Sequence, residues 1–275
     1  MKNAIFAFLV GCSLLPSAYA FEAKSFLPEN NLHLQDSLFA TGGIDEATFN
    51  EVIDIFEAAY TPIFEELGGT LNVNRNWSNS TVNAYADRNN GDWNISMFGG
   101  LARRSEITKL GFMLVVCHEA AHHIGGYPLY SGFDWASIEG NSDYVGMACM
   151  KKLLTTEASF EVAVPSKTAA AKCKQIYKDQ ELQVCYSLLS AGESTAGLLA
   201  ALGGEKKPSY STPDKSIVKK TYEPHPKGQC RLDTYLAGTL CNVKWDDSVI
   251  PKKDDYLKYS CATGLGARPK CWFKP

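Results

Sequence analysis

His118-Glu119-Ala120-Ala121-His122 places two imidazoles four residues apart, with a carboxylate beside the first. On a helix, positions i and i+4 share one face about one turn apart, so both rings reach a single point. Zinc, held at about 2.0–2.1 Å by imidazole nitrogen, suits that spacing. Glu119 then stands where a general base takes a proton from water activated at the metal. A catalytic zinc needs a third protein ligand and one open position. A histidine six residues after His122 would serve, but Pro128 stands there and cannot ligate. Glu139 follows His122 by 17 residues, which allows a helix–turn–helix to bring it to the metal as the third ligand. Asp143 lies one turn beyond on the same face, where it can accept the second N–H of a ligating histidine and fix its tautomer. His123 points about 100° away around the helix and reads as structural. Cys117 also points away from the metal and reads as a core thiol or a disulfide partner.

The elements around this motif follow from periodicity and breakers. Phe49, Val52, Ile53, Phe56, Tyr60, Ile63, Phe64 and Leu67 repeat at helical spacing, so a helix is expected from Asp45 to Leu67, stopped by Gly68-Gly69. Asn90-Gly91 is a hairpin turn, and Trp93, Ile95 and Met97 alternate along the strand after it. That strand, Trp93–Phe98, reads either as a sheet edge that pairs with an extended substrate or as a covered core strand. The motif helix is expected to start at Ser105-Glu106 and to stop at Gly125-Gly126. Further helices are expected over 137–154 and 167–202, then a polar connector from Lys206 to Gly228. Residues 21–43 read as an extended lead-in. The expected class is α+β: a mainly helical catalytic domain over 21–228, which the His118–His122 motif makes similar to the zincins, with a small antiparallel sheet ahead of the motif helix. A disulfide-tied appendage is expected over 229–275.

Lys2, the apolar run Ala4–Leu15 and Ala18-Tyr19-Ala20 read as a secretory signal peptide over 1–20. The run is too short to span a bilayer, and Cys12 as a lipoprotein site is the less favoured reading. Cleavage after Ala20 would remove one of nine cysteines and leave an even number, as disulfide pairing in a periplasmic or secreted chain requires. Short spacing suggests Cys230 with Cys241 and Cys261 with Cys271, leaving Cys117, Cys149, Cys173 and Cys185 to pair among themselves. With 27 basic against 30 acidic residues, the net charge of -3 argues against a nucleic-acid binder. No later stretch is long and apolar enough for a transmembrane helix.

These residues resemble a known family. HExxH followed by Glu139-Gly140-Asn141-Ser142-Asp143 is similar to the gluzincin pattern, as in thermolysin. The closer resemblance is to the CAAX prenyl proteases, bacterial heat-shock membrane proteases and periplasmic outer-membrane-assembly proteases. Asn83-Ala84-Tyr85-Ala86 with Ile95–Leu101 resembles that family's strand pair ahead of the active helix. His225-Pro226, with Arg231 six residues after the histidine, resembles its late segment. The resemblance implies zinc on His118, His122 and Glu139, with Glu119 as general base. It also implies that His225 and Arg231 approach the site. His225 would cap the metal in a resting state or stabilise the oxyanion; Arg231 would support the substrate or the intermediate. The chain departs from the family at Ala121, where many members have glycine, in its lack of membrane spans, and in its cysteine-rich tail. The expected activity is an exported zinc endopeptidase acting on protein or peptide. The alternative is an envelope binding or chaperone-like factor whose zinc site is closed, with His225 as an extra ligand.

Overall fold

The computed structural model describes residues 23–35, 42–156 and 162–275. The expected signal segment and Cys12 lie outside the described residues. The chain order is β1 (Lys24–Ser25), α1 (Glu46–Glu66), β2 (Thr70–Asn76), β3 (Ala84–Asn89), β4 (Asp92–Phe98), α2 (Gly99–Ala102) and α3 (Lys109–Ile124). α4 (Glu139–Thr156), α5 (Lys167–Lys174), α6 (Asp179–Gly203), α7 (Gly228–Leu240) and a 3-10 turn (Tyr256–Tyr259) follow.

α3 is apolar nearly all round, and a helix of that kind belongs in the middle of a fold. Every residue from Leu110 to Ile124 is buried. α1, the sheet, α4 and α6 pack around it. α1 turns Phe49, Val52, Ile53, Phe56, Tyr60 and Phe64 inward, and Asp45 caps it by accepting the Thr48 N–H at 2.8 Å. α3 starts at Lys109 rather than at Ser105-Glu106, because Thr108 is the cap and accepts from the Gly111 N–H.

The class is α+β as expected, with seven α-helices and one four-stranded sheet among the described residues. The sheet is mixed and not antiparallel, which corrects the sequence reading. Its order is β1-β3-β4-β2; β3 and β4 form the expected hairpin, but β2 runs parallel to β4. β4 is therefore an interior strand paired on both sides, so the substrate-edge reading of Trp93–Phe98 fails and the covered-strand reading holds.

The expected helix over 167–202 is two helices. Asp179, at φ 48°, turns the chain between them, and Cys173–Cys185 ties α5 to α6. Cys117–Cys149 joins α3 to α4. The tail pairing needs correction: the bridges are Cys230–Cys271 and Cys241–Cys261. Cys230 and Cys241 stand at opposite ends of α7, and at 1.5 Å rise per residue they are about 16 Å apart, far beyond disulfide reach. α7 packs on α4 and α6, and the tail beyond it folds back to place Trp272 under the start of α4. No helix among the described residues is long and apolar enough to cross a membrane.

Candidate metal centre

α3 carries His118, Glu119 and His122, and the glycines that stop it also return the chain beneath it. Gly126 takes φ 64°, and a Cβ there would lie 2.2 Å from the Pro251 carbonyl, so only glycine fits. The loop comes back to donate the Ser137 N–H to His122 O at 3.0 Å, and α4 then opens on Glu139. His118, His122 and Glu139 meet with ligand atoms within 4.8 Å of one another. All three are fully buried, as is Glu119.

Each histidine is held in one tautomer. His122 Nδ1 lies 2.7 Å from the Ser137 carbonyl, which only accepts, so Nδ1 carries the hydrogen. His118 Nδ1 donates to Asp143 Oδ1 at 2.9 Å. Both Nε2 lone pairs are left for the common point. Donors held by zinc at about 2.0–2.1 Å in a tetrahedron stand about 3.3–3.4 Å apart. His118 Nε2 is 3.3 Å from Glu139 Oε2, and His122 Nε2 is 3.5 Å from Glu139 Oε1. His118 Nε2, His122 Nε2 and Glu139 Oε2 are buried with no hydrogen-bond partner. Native proteins rarely leave such atoms unsatisfied, and three aimed together fit a cation. The buried His-His-Glu group could therefore hold a metal ion.

Charge around the trio is ordered by burial and pairing. Burial pushes the His122 imidazole down to about 3, so it is neutral, as a ligand must be. Burial also works against a charged His118, but Asp143 outweighs it and lifts His118 to about 9, a proton that a metal would displace. Burial alone would raise the Glu139 carboxyl, yet the nearby His225, His122 and His118 hold it well below the usual range. Burial raises Glu119 to about 8, and neither of its carboxylate oxygens has a hydrogen-bond partner.

The structure brings all the sequence-selected residues into one cluster, with differing stations. Arg231 grips Asp143 with two bonds, Nε to Oδ2 at 2.8 Å and Nη2 to Oδ1 at 2.7 Å. Its Nη1 donates to the Phe26 carbonyl at 2.6 Å. Arg231 thus stands behind His118 as a support of its support. His225 Nε2 lies 3.4 Å from Glu139 Oε2, outside the mutually close trio. The same nitrogen donates to the Ser25 carbonyl at 2.7 Å, so it is a hydrogen-bond donor in this arrangement. His123 is stacked between Trp93 and Trp135, with Arg88 bonded to its Nδ1 and carbonyl, which anchors the end of α3 to the sheet.

Three contributors escaped the sequence reading. Tyr130 donates its hydroxyl to Glu139 Oε1 at 2.7 Å, and Phe26 meets the His118 ring edge-on at 5.2 Å. Neither sits at a motif spacing from the ligands. The third is Trp272, whose ring lies where a Cβ at Gly140 would come within 2.2 Å. Its Nε1 is fixed by Thr234 Oγ1 at 2.9 Å. Gly140→Ala should therefore lower stability by about 1–3 kcal/mol through overpacking, read as a lower urea midpoint. An unchanged midpoint would show that the tail does not buttress the ligand helix.

The chain matches no family model, no curated protein and no solved structure. What fold and site define together is an α+β chain, bound by four disulfides, with a buried His-His-Glu group able to hold a metal ion.

Proposed function

We propose that this chain is an exported zinc-dependent endopeptidase. The observation that carries the reading is the unpaired Glu119 carboxylate beside three converging, partnerless donors. His118, His122 and Glu139 would hold the zinc, with Asp143 and Ser137 fixing the two imidazoles. A zinc ion there supplies Lewis acidity, polarising a peptide carbonyl and lowering the pKa of water towards about 7. Glu119 takes one proton from the attacking water and delivers it to the leaving nitrogen, so water adds across the broken C–N bond. Burial raises the Glu119 carboxyl, and a cation held beside it would favour the carboxylate form that accepts a proton. Tyr130 orients Glu139. Four disulfides are compatible with an oxidising compartment, which supports export.

A second reading has an observation in its favour. All four central side chains are fully buried, as in a binding or chaperone-like factor whose zinc site stays shut. Turnover of casein by the mature chain separates the two. The endopeptidase reading expects hydrolysis that a chelator stops and stoichiometric zinc restores. Stoichiometric zinc with no turnover, in wild type and in His225→Ala alike, would overturn it in favour of the closed factor.

A further inference from the structure

The seal over the site includes a piece of the chain's own N-terminal region. Lys24, Ser25, Phe26 and Leu27 are all less than a tenth exposed. They run antiparallel to β3, with Lys24 opposite Ala86 and Ser25 opposite Tyr85, and the Phe26 N–H bonds to Ala84 O at 3.1 Å. Resting on the endopeptidase reading, we propose that Lys24–Leu27 is a resident occupant of the cleft for an extended polypeptide substrate, which must displace it.

Three features support this. The first is the mode of attachment. In the order β1-β3-β4-β2, β1 is the strand that pairs with the outer side of β3 among the described residues, and removing it exposes a strand edge of the kind that binds peptides by strand addition. The second is what the segment touches on its other side. The Ser25 carbonyl is held by His225 Nε2, the nitrogen that also stands beside Glu139. The Phe26 carbonyl is held by Arg231, and the Phe26 ring packs on His118. A strand serving only the sheet would not direct consecutive carbonyls to two groups of the metal centre.

The third is what the side chains of the segment occupy. β1 is two residues long, and Leu27 beyond it is bonded through its N–H and carbonyl to Asn83, bonds an incoming strand would have to replace. A cavity of about 360 Å³, lined in part by Leu27, Leu199, Leu202 and His225, opens at the end of the segment. The Lys24 ammonium lies 4.4 Å from the Tyr130 ring centre and 3.9 Å from that of Phe133. The segment is therefore a template for what replaces it: a cation over Tyr130 and Phe133, then, two residues later, an aromatic side chain against His118.

Two measurements on the mature chain test the proposal. In the first, zinc-loaded Glu119→Gln protein is mixed with a synthetic peptide of residues 21–30, and hydrogen exchange is followed at the Phe26 amide. The bound peptide should release the segment and raise exchange there at least about tenfold. The second is the initial rate on casein for Lys24→Ala, where a loosened segment should raise kcat/KM by about tenfold, as the open fraction rises. Unchanged Phe26 protection at saturating peptide, with an unchanged Lys24→Ala rate, would overturn the proposal even if wild type cleaves casein. Release of Phe26 by peptide in a chain that cleaves nothing would uphold the displaceable segment and defeat the endopeptidase reading.

Discussion

Glu119→Gln is expected to lower peptide hydrolysis by about 10²–10⁴-fold, the range for loss of a positioned general base. Two readouts separate this from a structural defect. Metal content should not change, because Glu119 is not among the three residues whose donors converge. Stability should not fall. The Glu119 side chain is fully buried with both oxygens unpaired, and burial raises it to about 8, so at neutral pH the metal-free chain already holds it mostly as the neutral acid. An amide of the same shape is no charged group to bury either, while it gives up the proton acceptor. Activity lost with metal and melting temperature retained is the signature of a group held at a stability cost for chemistry. Full activity in the variant would exclude Glu119 as the base.

Arg231→Ala is expected to act in the opposite way, through stability and metal affinity. Asp143 and Arg231 form a fully buried, two-bonded ion pair. Removing one partner of such a pair costs about 3–5 kcal/mol, because the other charge is left buried and uncompensated. The carboxylate that fixes His118 loses its clamp at the same time, and changes behind a ligand typically weaken metal binding by about 10–100-fold. Equilibrium unfolding in urea and competition with a chromogenic chelator measure the two effects. Arg231→Lys should rescue only part of each, since an ammonium cannot present two parallel N–H donors. A loss under about 1 kcal/mol, the level of an exposed pair, would show that Arg231 is not buried against Asp143 as described.

The centre of the site was legible because its information is local. His118 and His122 share a helix face, and the apolar stretch before them marks that helix as buried. Glu139 and Asp143 are again one turn apart, on a helix close enough in sequence to return directly. What the sequence concealed depends on distant contacts. Nothing near Phe26 announces a meeting with Arg231, some 200 positions on. The parallel pairing of β2 with β4 bypasses the adjacent hairpin, so turn chemistry does not reveal it. α7 was hidden by composition: its cysteines and glycines read as part of a disulfide-tied appendage, although Leu232, Tyr235, Leu236 and Leu240 lie at helical spacing and are buried. Once α7 is a helix, pairing its two terminal cysteines is impossible, and that error in connectivity follows from the missed element.

The central claim is that His118, His122 and Glu139 hold one zinc ion, and metal analysis of the purified chain tests it most directly. Wild type, exposed to zinc and then freed of excess, should retain about one zinc per chain. His122→Ala, which keeps the fold's disulfides but removes a donor, should retain far less under the same treatment. A wild-type chain that emerges without zinc, or equal zinc in wild type and variant, would contradict the account.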